Sequence, residues 1–237
     1  MCGRFAVGKI TWEDYQRWLK LISGAKAPSN LEPRFNIAPT DTAPVALRTR
    51  HGHEMREMRF GLVPSWWKKP LKEMRFSTIN ARAETVQESK LYQKAFRSQR
   101  ALIPAIGFYE WTGPKGKKQP WFITTKPIAR MLKGEGPPAE PPFLCFAGLW
   151  DEAVIDGEPV LTFSILTGEP NDKVAKLHDR MPIILPTGAW DAWLDPATAD
   201  PRELMTVYPA DDMAYWKVPS TVSNPRSEGE ILIVASD

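Results

Sequence analysis

Apolar residues recur at two different periods along this chain, and the change of period marks its elements. Trp12, Tyr15, Leu19 and Ile22 fall at helical spacing, and Thr11 ahead of them can cap the first turn with its hydroxyl. This predicts a helix from Thr11 that stops at Gly24. Residues 28–39 read as loop. The period then becomes two. Val45 and Leu47 alternate with smaller residues, and Met58, Phe60 and Leu62 do the same. That pattern predicts strands on either side of a His51-Gly52-His53 turn. Residues 63–70 are turn-rich and aromatic, and 79–85 lead toward a helix near 91–96. Residues 101–111 read as one strand, bent at Pro104 and Gly107. A polar turn at 113–118 precedes a short strand at 121–124.

The second half continues in short pieces. Residues 126–142 are rich in proline, glycine and charge, and read as an exposed loop rather than a domain linker. Residues 143–150 and 160–166 are apolar enough for buried strands, joined through Ile155-Asp156-Gly157-Glu158. A short helix at 170–177 precedes His178. Residues 183–185 form a brief strand, and Thr187 caps a helix through Trp190, Trp193 and Leu194. Another helix is expected at 201–207 and a last strand at 230–234. Strands outnumber helices and do not alternate regularly with them, so the fold class is α+β. No repeat divides the 237 residues, which are read as a single domain, 1–237.

Composition narrows the function. The 43% apolar content supports a sizeable core, and a net charge of +3 is too small for a polybasic protein. Nucleic-acid contact would need a local arginine patch. The 23 prolines oppose long helices, and the 10 tryptophans leave some free to stack on a ligand. Two cysteines, Cys2 and Cys145, are few for a secreted disulfide scaffold. Charged residues interrupt the N-terminal segment, and no stretch approaches a membrane span. An intracellular, reducing compartment is expected, with no membrane partner. There is no CxxC or HExxH, and His51, His53 and His178 form no ligand set, so neither metal nor cofactor is expected.

The sharpest chemical feature is Cys2. Loss of Met1 would leave one residue carrying both an α-amine and a thiol. An aldehyde condenses with the amine to an imine, and the thiol closes a five-membered thiazolidine. The two nucleophiles titrate at about 7.7–8.0 and about 8.5, within reach of neutral pH. The plain alternative is a small residue after the start codon. Glu110, among Phe108, Tyr109 and Trp111, fits a carboxyl desolvated for proton transfer. It fits equally a strand carboxylate facing solvent beside a lysine. Asn80 can hold an oxyanion or sugar hydroxyl, or shape a turn. His178 can shuttle protons or end a helix. Arg4, Arg82 and Arg180 adjoin these candidates and can clamp phosphate, or be surface charges. Trp66-Trp67 followed by Lys68-Lys69 suits gripping of single-stranded nucleic acid, or packing against its own loop.

Several separated stretches resemble the SRAP domain proteins, the abasic-site processing family. They are Met1-Cys2-Gly3-Arg4-Phe5, Arg34-Phe35-Asn36-Ile37-Ala38-Pro39, residues 61–67, Ile79-Asn80-Ala81-Arg82-Ala83-Glu84-Thr85, Gly107-Phe108-Tyr109-Glu110-Trp111 and His178-Asp179-Arg180-Met181-Pro182. They occur in the family's order across almost the whole chain. The resemblance implies mixed and antiparallel sheets forming a distorted barrel with short flanking helices. It implies a monomer acting in the cytoplasm on abasic sites in single-stranded DNA, including junctions with duplex. Cys2 would be the nucleophile exposed by loss of Met1. Asn80, Glu110 and His178 would complete the catalytic set. Arg4, Asn36, Pro39, Trp66, Trp67, Arg82, Thr167 and Arg180 would contact DNA. The same imine gives β-elimination (lyase) chemistry. Departures are Ile106, where the family usually has an acid, Ala101 in place of a frequent cysteine, and the 126–142 loop. An N-terminal-nucleophile thiol hydrolase or self-processing peptidase would use the same residues on an amide. A nucleic-acid reader without catalysis would not need Cys2.

Overall fold

The first helix shows how far local sequence carries. The computed structural model describes residues 2–25, 27 and 31–236, so Met1 and Pro28, at the head of the expected loop, lie outside the described residues. After strand β1 (Phe5–Ala6), helix α1 (Trp12–Leu19) begins at a capping box. The Thr11 hydroxyl accepts from Asp14 N–H, and Asp14 accepts from Thr11 N–H. The helix ends at Leu19, well short of Gly24. Lys20 takes a left-handed φ of 51°, and the Ile22 N–H donates to His53 O at 3.0 Å. Pairing with the next hairpin overrides the helical spacing of Ile22.

That hairpin is β2 (Thr42–Thr49) and β3 (Gly52–Phe60), antiparallel from Thr42↔Arg59 to Thr49↔Gly52. Strand β4 (Asn80–Arg82) and helix α2 (Gln93–Ser98) follow. The stretch expected as one bent strand is two, β5 (Arg100–Ala105) and β6 (Gly107–Thr112). The bend at Ile106 carries the chain from one sheet into another. Strand β7 (Gln119–Thr125) leads directly into helix α3 (Lys126–Leu132). This corrects the first part of the exposed loop expected at 126–142, while residues 133–138 and 140 are exposed and outside any helix or strand. Pro127 sits in the first helical turn, where its missing N–H costs nothing, and Ile128 and Ala129 are buried. Strands β8 (Leu144–Ile155) and β9 (Glu158–Gly168) form a long hairpin about Asp156-Gly157. Strands β10 (Met181–Pro182) and β11 (Ile184–Leu185), helix α4 (Trp190–Leu194) and strand β12 (Met213–Lys217) complete the order.

The helices expected at 170–177 and 201–207 are single 3₁₀ turns at Val174–Lys176 and Pro201–Leu204, and the expected last strand is a 3₁₀ turn at Glu230–Ile233. Each is too short to bury an apolar stripe, so contacts with the sheets set its conformation.

Strands β9, β3, β2, β5, β8 and again β9 close into a barrel, with β3 and β9 parallel at Phe60↔Phe163. A second sheet, β1-β6-β7-β12, packs against it. Phe5 is the joint: its ring meets Phe60 at 5.6 Å and Phe146 at 6.1 Å, both edge-on. The architecture is α+β, with a distorted barrel and short flanking helices. Two short strands on β9 position the site. β4 runs parallel to it at Asn80↔Ile165, and β10 antiparallel at Met181↔Gly168. They bring residues 80 and 178–180 to one end of the barrel.

Candidate active site

Pairing of the N-terminal segment with β6 places Cys2. The register Phe5↔Phe108 is extended by Tyr109 N–H donating to Arg4 O at 2.9 Å, which carries Cys2 toward Glu110. Cys2 is fully buried. Burial pushes its thiol pKa up, and the Glu110 charge pushes it further. The thiol is therefore protonated at neutral pH. Asn80 Nδ2 donates to Cys2 O at 3.1 Å, which ties the N-terminal segment to β4. Glu110 is 4% exposed, which settles its alternative: it does not face solvent. Burial among aromatic residues lifts its pKa to about 7, so at neutral pH it can both give and take a proton.

His178 completes the cluster. Its Nε2 lies 3.8 Å from Glu110 Oε2. Its Nδ1 is 3.0 Å from the Arg180 N–H and 2.9 Å from Asp179 Oδ1. A single ring nitrogen cannot accept from one and donate to the other. Burial lowers the His178 pKa, which favours the neutral ring, with Nδ1 accepting from Arg180 and Nε2–H directed at Glu110. The contact to Asp179 belongs to the protonated ring. Glu110 and His178 line a cleft of about 840 Å³ together with Arg4, Trp111, Lys118 and Ser223.

The expected DNA-contacting residues divide. Arg4 lines the cleft, its Nη1 donating to Asn36 Oδ1 at 2.7 Å and to Val222 O at 2.9 Å. Asn36 is 0% exposed and its amide donates to the carbonyls of Val222, Asn224 and Ser227. It has no surface for a nucleotide and instead holds Arg4 and the C-terminal segment. Thr167 is likewise buried and accepts from Arg180. Arg180 forms a two-point ion pair with Glu84, at 2.6 and 2.9 Å, so the fork expected to clamp phosphate is filled. Arg82 and Pro39 are exposed. Trp66 and Trp67 are absent from the cleft lining. They form an aromatic group with Phe76, in which Trp66 is 56% exposed.

The cleft also holds residues not anticipated individually. The Arg4 guanidinium stands 5.7 Å over the Trp111 ring, whose Nε1 donates to Ser223 Oγ at 2.9 Å. Lys117 and Lys118 project from the β6–β7 turn, and Ser220 lies opposite. The only hint in the sequence was the charge of that turn. Among the described residues, no group of three or more His, Cys, Asp or Glu is placed to hold a metal ion, and no helix is long and apolar enough to cross a membrane.

The fold is a barrel and a sheet carrying a buried thiol near the N-terminus, with a carboxyl poised near neutrality and an imidazole beside it lining a basic cleft. The chain belongs to the SRAP family, whose sequence model, described as SOS response associated peptidase (SRAP), matches residues 1–225. It is 32% identical to abasic site processing protein YoqW of Bacillus subtilis (strain 168), covering 98% of this chain and 99% of the relative. It is 31% identical to abasic site processing protein HMCES of Xenopus tropicalis, over 96% of this chain and 76% of that one. A crystal structure of a protein from Bacteroides thetaiotaomicron superposes with a TM-score of 0.79 at 19% identity, covering 100% of both chains. That likeness shows the fold.

Proposed function

We propose that this chain, as one domain acting as a monomer inside the cell, processes abasic sites in single-stranded DNA, including those at junctions with duplex, by forming a covalent bond to them through Cys2. The observation that carries the reading is that Cys2, held by Asn80, lies within electrostatic reach of Glu110, while Glu110 and His178 line a basic cleft with Cys2 and Asn80 behind its lining. The relatives' names point to the same lesion. Removal of Met1 is part of the proposal, because it creates the α-amine.

The chemistry is a condensation. The abasic sugar opens from hemiacetal to aldehyde as Glu110 protonates the ring oxygen and a proton leaves the anomeric hydroxyl. The Cys2 amine adds to the aldehyde carbon, and the carbinolamine loses water to give an iminium. The thiol passes its proton to Glu110 as sulfur bonds the same carbon. The thiazolidine thus contains every atom of aldehyde and aminothiol less one water. Asn80 fixes the Cys2 backbone through its carbonyl. His178 moves protons to and from Glu110, in formation and in reversal. Loss of the C2′ proton from the iminium expels the 3′ phosphate, which is the lyase branch. Arg4 and Arg82 hold phosphates and Trp66 supports a base, the last two from outside the cleft lining.

The family description favours a second reading, a thiol hydrolase acting on an amide, with release of Met1 as its reaction. One experiment separates them. The protein is incubated with single-stranded DNA carrying an abasic site and run on a denaturing gel. A heat-stable adduct is expected, lost in Cys2→Ala and lost when one residue is added before Cys2. An adduct that persists with a blocked N-terminus overturns the thiazolidine.

A further inference from the structure

Glu84 lies just beyond β4 and Arg180 just before β10, and both strands are held by the same stretch of β9. The Thr167 carbonyl is the node between them. It accepts from Ala83 N–H at 2.9 Å and from Arg180 Nη2 at 2.6 Å. The Glu84 carboxylate closes the link with its two contacts to the Arg180 guanidinium, at 2.6 and 2.9 Å. The Arg180 side chain is 15% exposed and that of Glu84 49% exposed, so a largely buried guanidinium is held by a carboxylate at the surface. The backbone N–H of the same Arg180 donates to His178 Nδ1 at 3.0 Å. Whatever fixes Arg180 therefore fixes which His178 nitrogen carries the proton.

We infer that Glu84 is a positioning residue for the abasic-site reaction: through Arg180 it holds His178 with Nδ1 as acceptor and Nε2–H toward Glu110. This deepens the reading under Proposed function and rests on it. Among the described residues, Glu110 from β6, Lys118 from the β6–β7 turn and Asp179 from its own loop bring charge to His178. Glu84 acts from behind them, by denying Arg180 any other arrangement. Without it, the 178–180 loop loses its anchor and Asp179 competes for Nδ1. Side chains locked by such outer contacts keep reacting groups within the tolerance catalysis requires. The fork also keeps Arg180 from serving as a free phosphate clamp.

The test uses the full chain with Cys2 exposed. In Glu84→Ala, adduct formation at saturating abasic-site DNA should slow about tenfold, the order expected when a reacting group is slightly misplaced. Affinity for intact single-stranded DNA should stay within about twofold, since no phosphate contact is lost. Glu84→Ala combined with His178→Ala should be no slower than His178→Ala alone, because both changes act through one ring. Glu84→Gln, which keeps the shape and one hydrogen bond, should recover part of the rate and guards against a folding defect in the alanine variant. Nitrogen chemical shifts of the His178 ring should move from an Nε2–H tautomer in the parent toward a mixture in Glu84→Ala, with or without DNA. Additive rate losses in the double variant, or an unchanged ring tautomer, overturn the inference. Tighter binding of intact DNA with a steeper salt dependence overturns it too, by showing that Glu84 only competes with phosphate for Arg180. Absence of any adduct in the parent would count against the proposed function, while the tautomer measurement would still decide the role of Glu84.

Discussion

The Nε2 atom of His178 lies 3.8 Å from Oε2 of Glu110, in a pair whose side chains are 26% and 5% exposed. Burial moves the two pKa values toward the neutral forms, Glu110 up and His178 down. The linkage to stability therefore has opposite signs. Glu110 rises from 4.5 to about 7, so between those values the native state binds more protons than the unfolded state, and stability falls as pH climbs. The upper limit is about 3 kcal/mol. His178 falls below 6.5, so in the window just under that value the unfolded state binds more protons, and stability rises with pH. Urea unfolding of Glu110→Gln from pH 4.5 to 8 should lose the falling component, while His178→Gln should steepen it. A Glu110→Gln profile parallel to the parent would refute the assignment.

Adduct formation should carry the same signature in its rate. The Cys2 amine must be unprotonated, which favours high pH, with a model α-amine at about 7.7–8.0. Ring opening needs protonated Glu110, which favours pH below about 7. The product of the two gives a bell. Glu110→Gln should slow the reaction at least tenfold and remove the alkaline limb. Single-turnover rates measured from pH 5.5 to 9 check this, and a limb that survives in Glu110→Gln would assign the acid elsewhere.

Asn80 offers a change that separates chemistry from binding. Its Nδ2 donates to Cys2 O at 3.1 Å and approaches Ile165 O at 3.4 Å. Asn80→Ala leaves the Cys2 carbonyl without this donor and frees the N-terminal segment. Stability should fall by about 1–2 kcal/mol, the cost of an unmade buried hydrogen bond. Adduct formation should slow by more than that loss of folded protein explains, with intact-DNA affinity unchanged. Equal losses of binding and rate would make Asn80 a DNA contact instead.

Asn36 shows what the chain's pattern does and does not reveal. The Arg34–Pro39 stretch stood out as a motif, and a polar residue in a motif reads as a ligand contact. In the fold it is a buried clamp on three carbonyls about 190 residues away. No local pattern encodes such a distant partner. The same holds for Glu84, whose partner Arg180 comes from another motif, and for strand β4 (Asn80–Arg82), which exists only because β9 offers an edge. What was legible was local. The Thr11 cap, the hairpin strands and the Asp156-Gly157 turn follow from period and turn chemistry. Cys2 stood out by its position, whereas Glu110 and His178 each kept a plain alternative until the resemblance singled them out. Asn36→Ala should cost about 1–3 kcal/mol, since a buried amide that holds three carbonyls and accepts from Arg4 is removed. Its DNA affinity should drop only as much as in Arg4→Ala, and a double variant should show no further loss. A larger drop would restore a direct contact.

Arg82 and Trp66 are, with Pro39, exposed candidates for holding DNA, and the two should fail differently. Arg82 projects from the end of β4 and Trp66 is 56% exposed beside Trp67 and Phe76. Neutralising one phosphate-contacting arginine removes about one released counterion, so Arg82→Ala should lower the slope of log affinity against log salt by about one. A stacked tryptophan contributes about 1–3 kcal/mol per base without regard to charge. Trp66→Ala should therefore weaken binding at every salt concentration with the slope intact. Arg202, which is paired with Asp200 at a 3₁₀ turn outside the cleft lining, serves as the control whose alanine variant should change neither quantity. Fluorescence anisotropy with a labelled single strand at several salt concentrations measures all three variants. An unchanged slope in Arg82→Ala would remove that arginine from the DNA path, and an unchanged affinity in Trp66→Ala would return the tryptophan pair to a purely packing role.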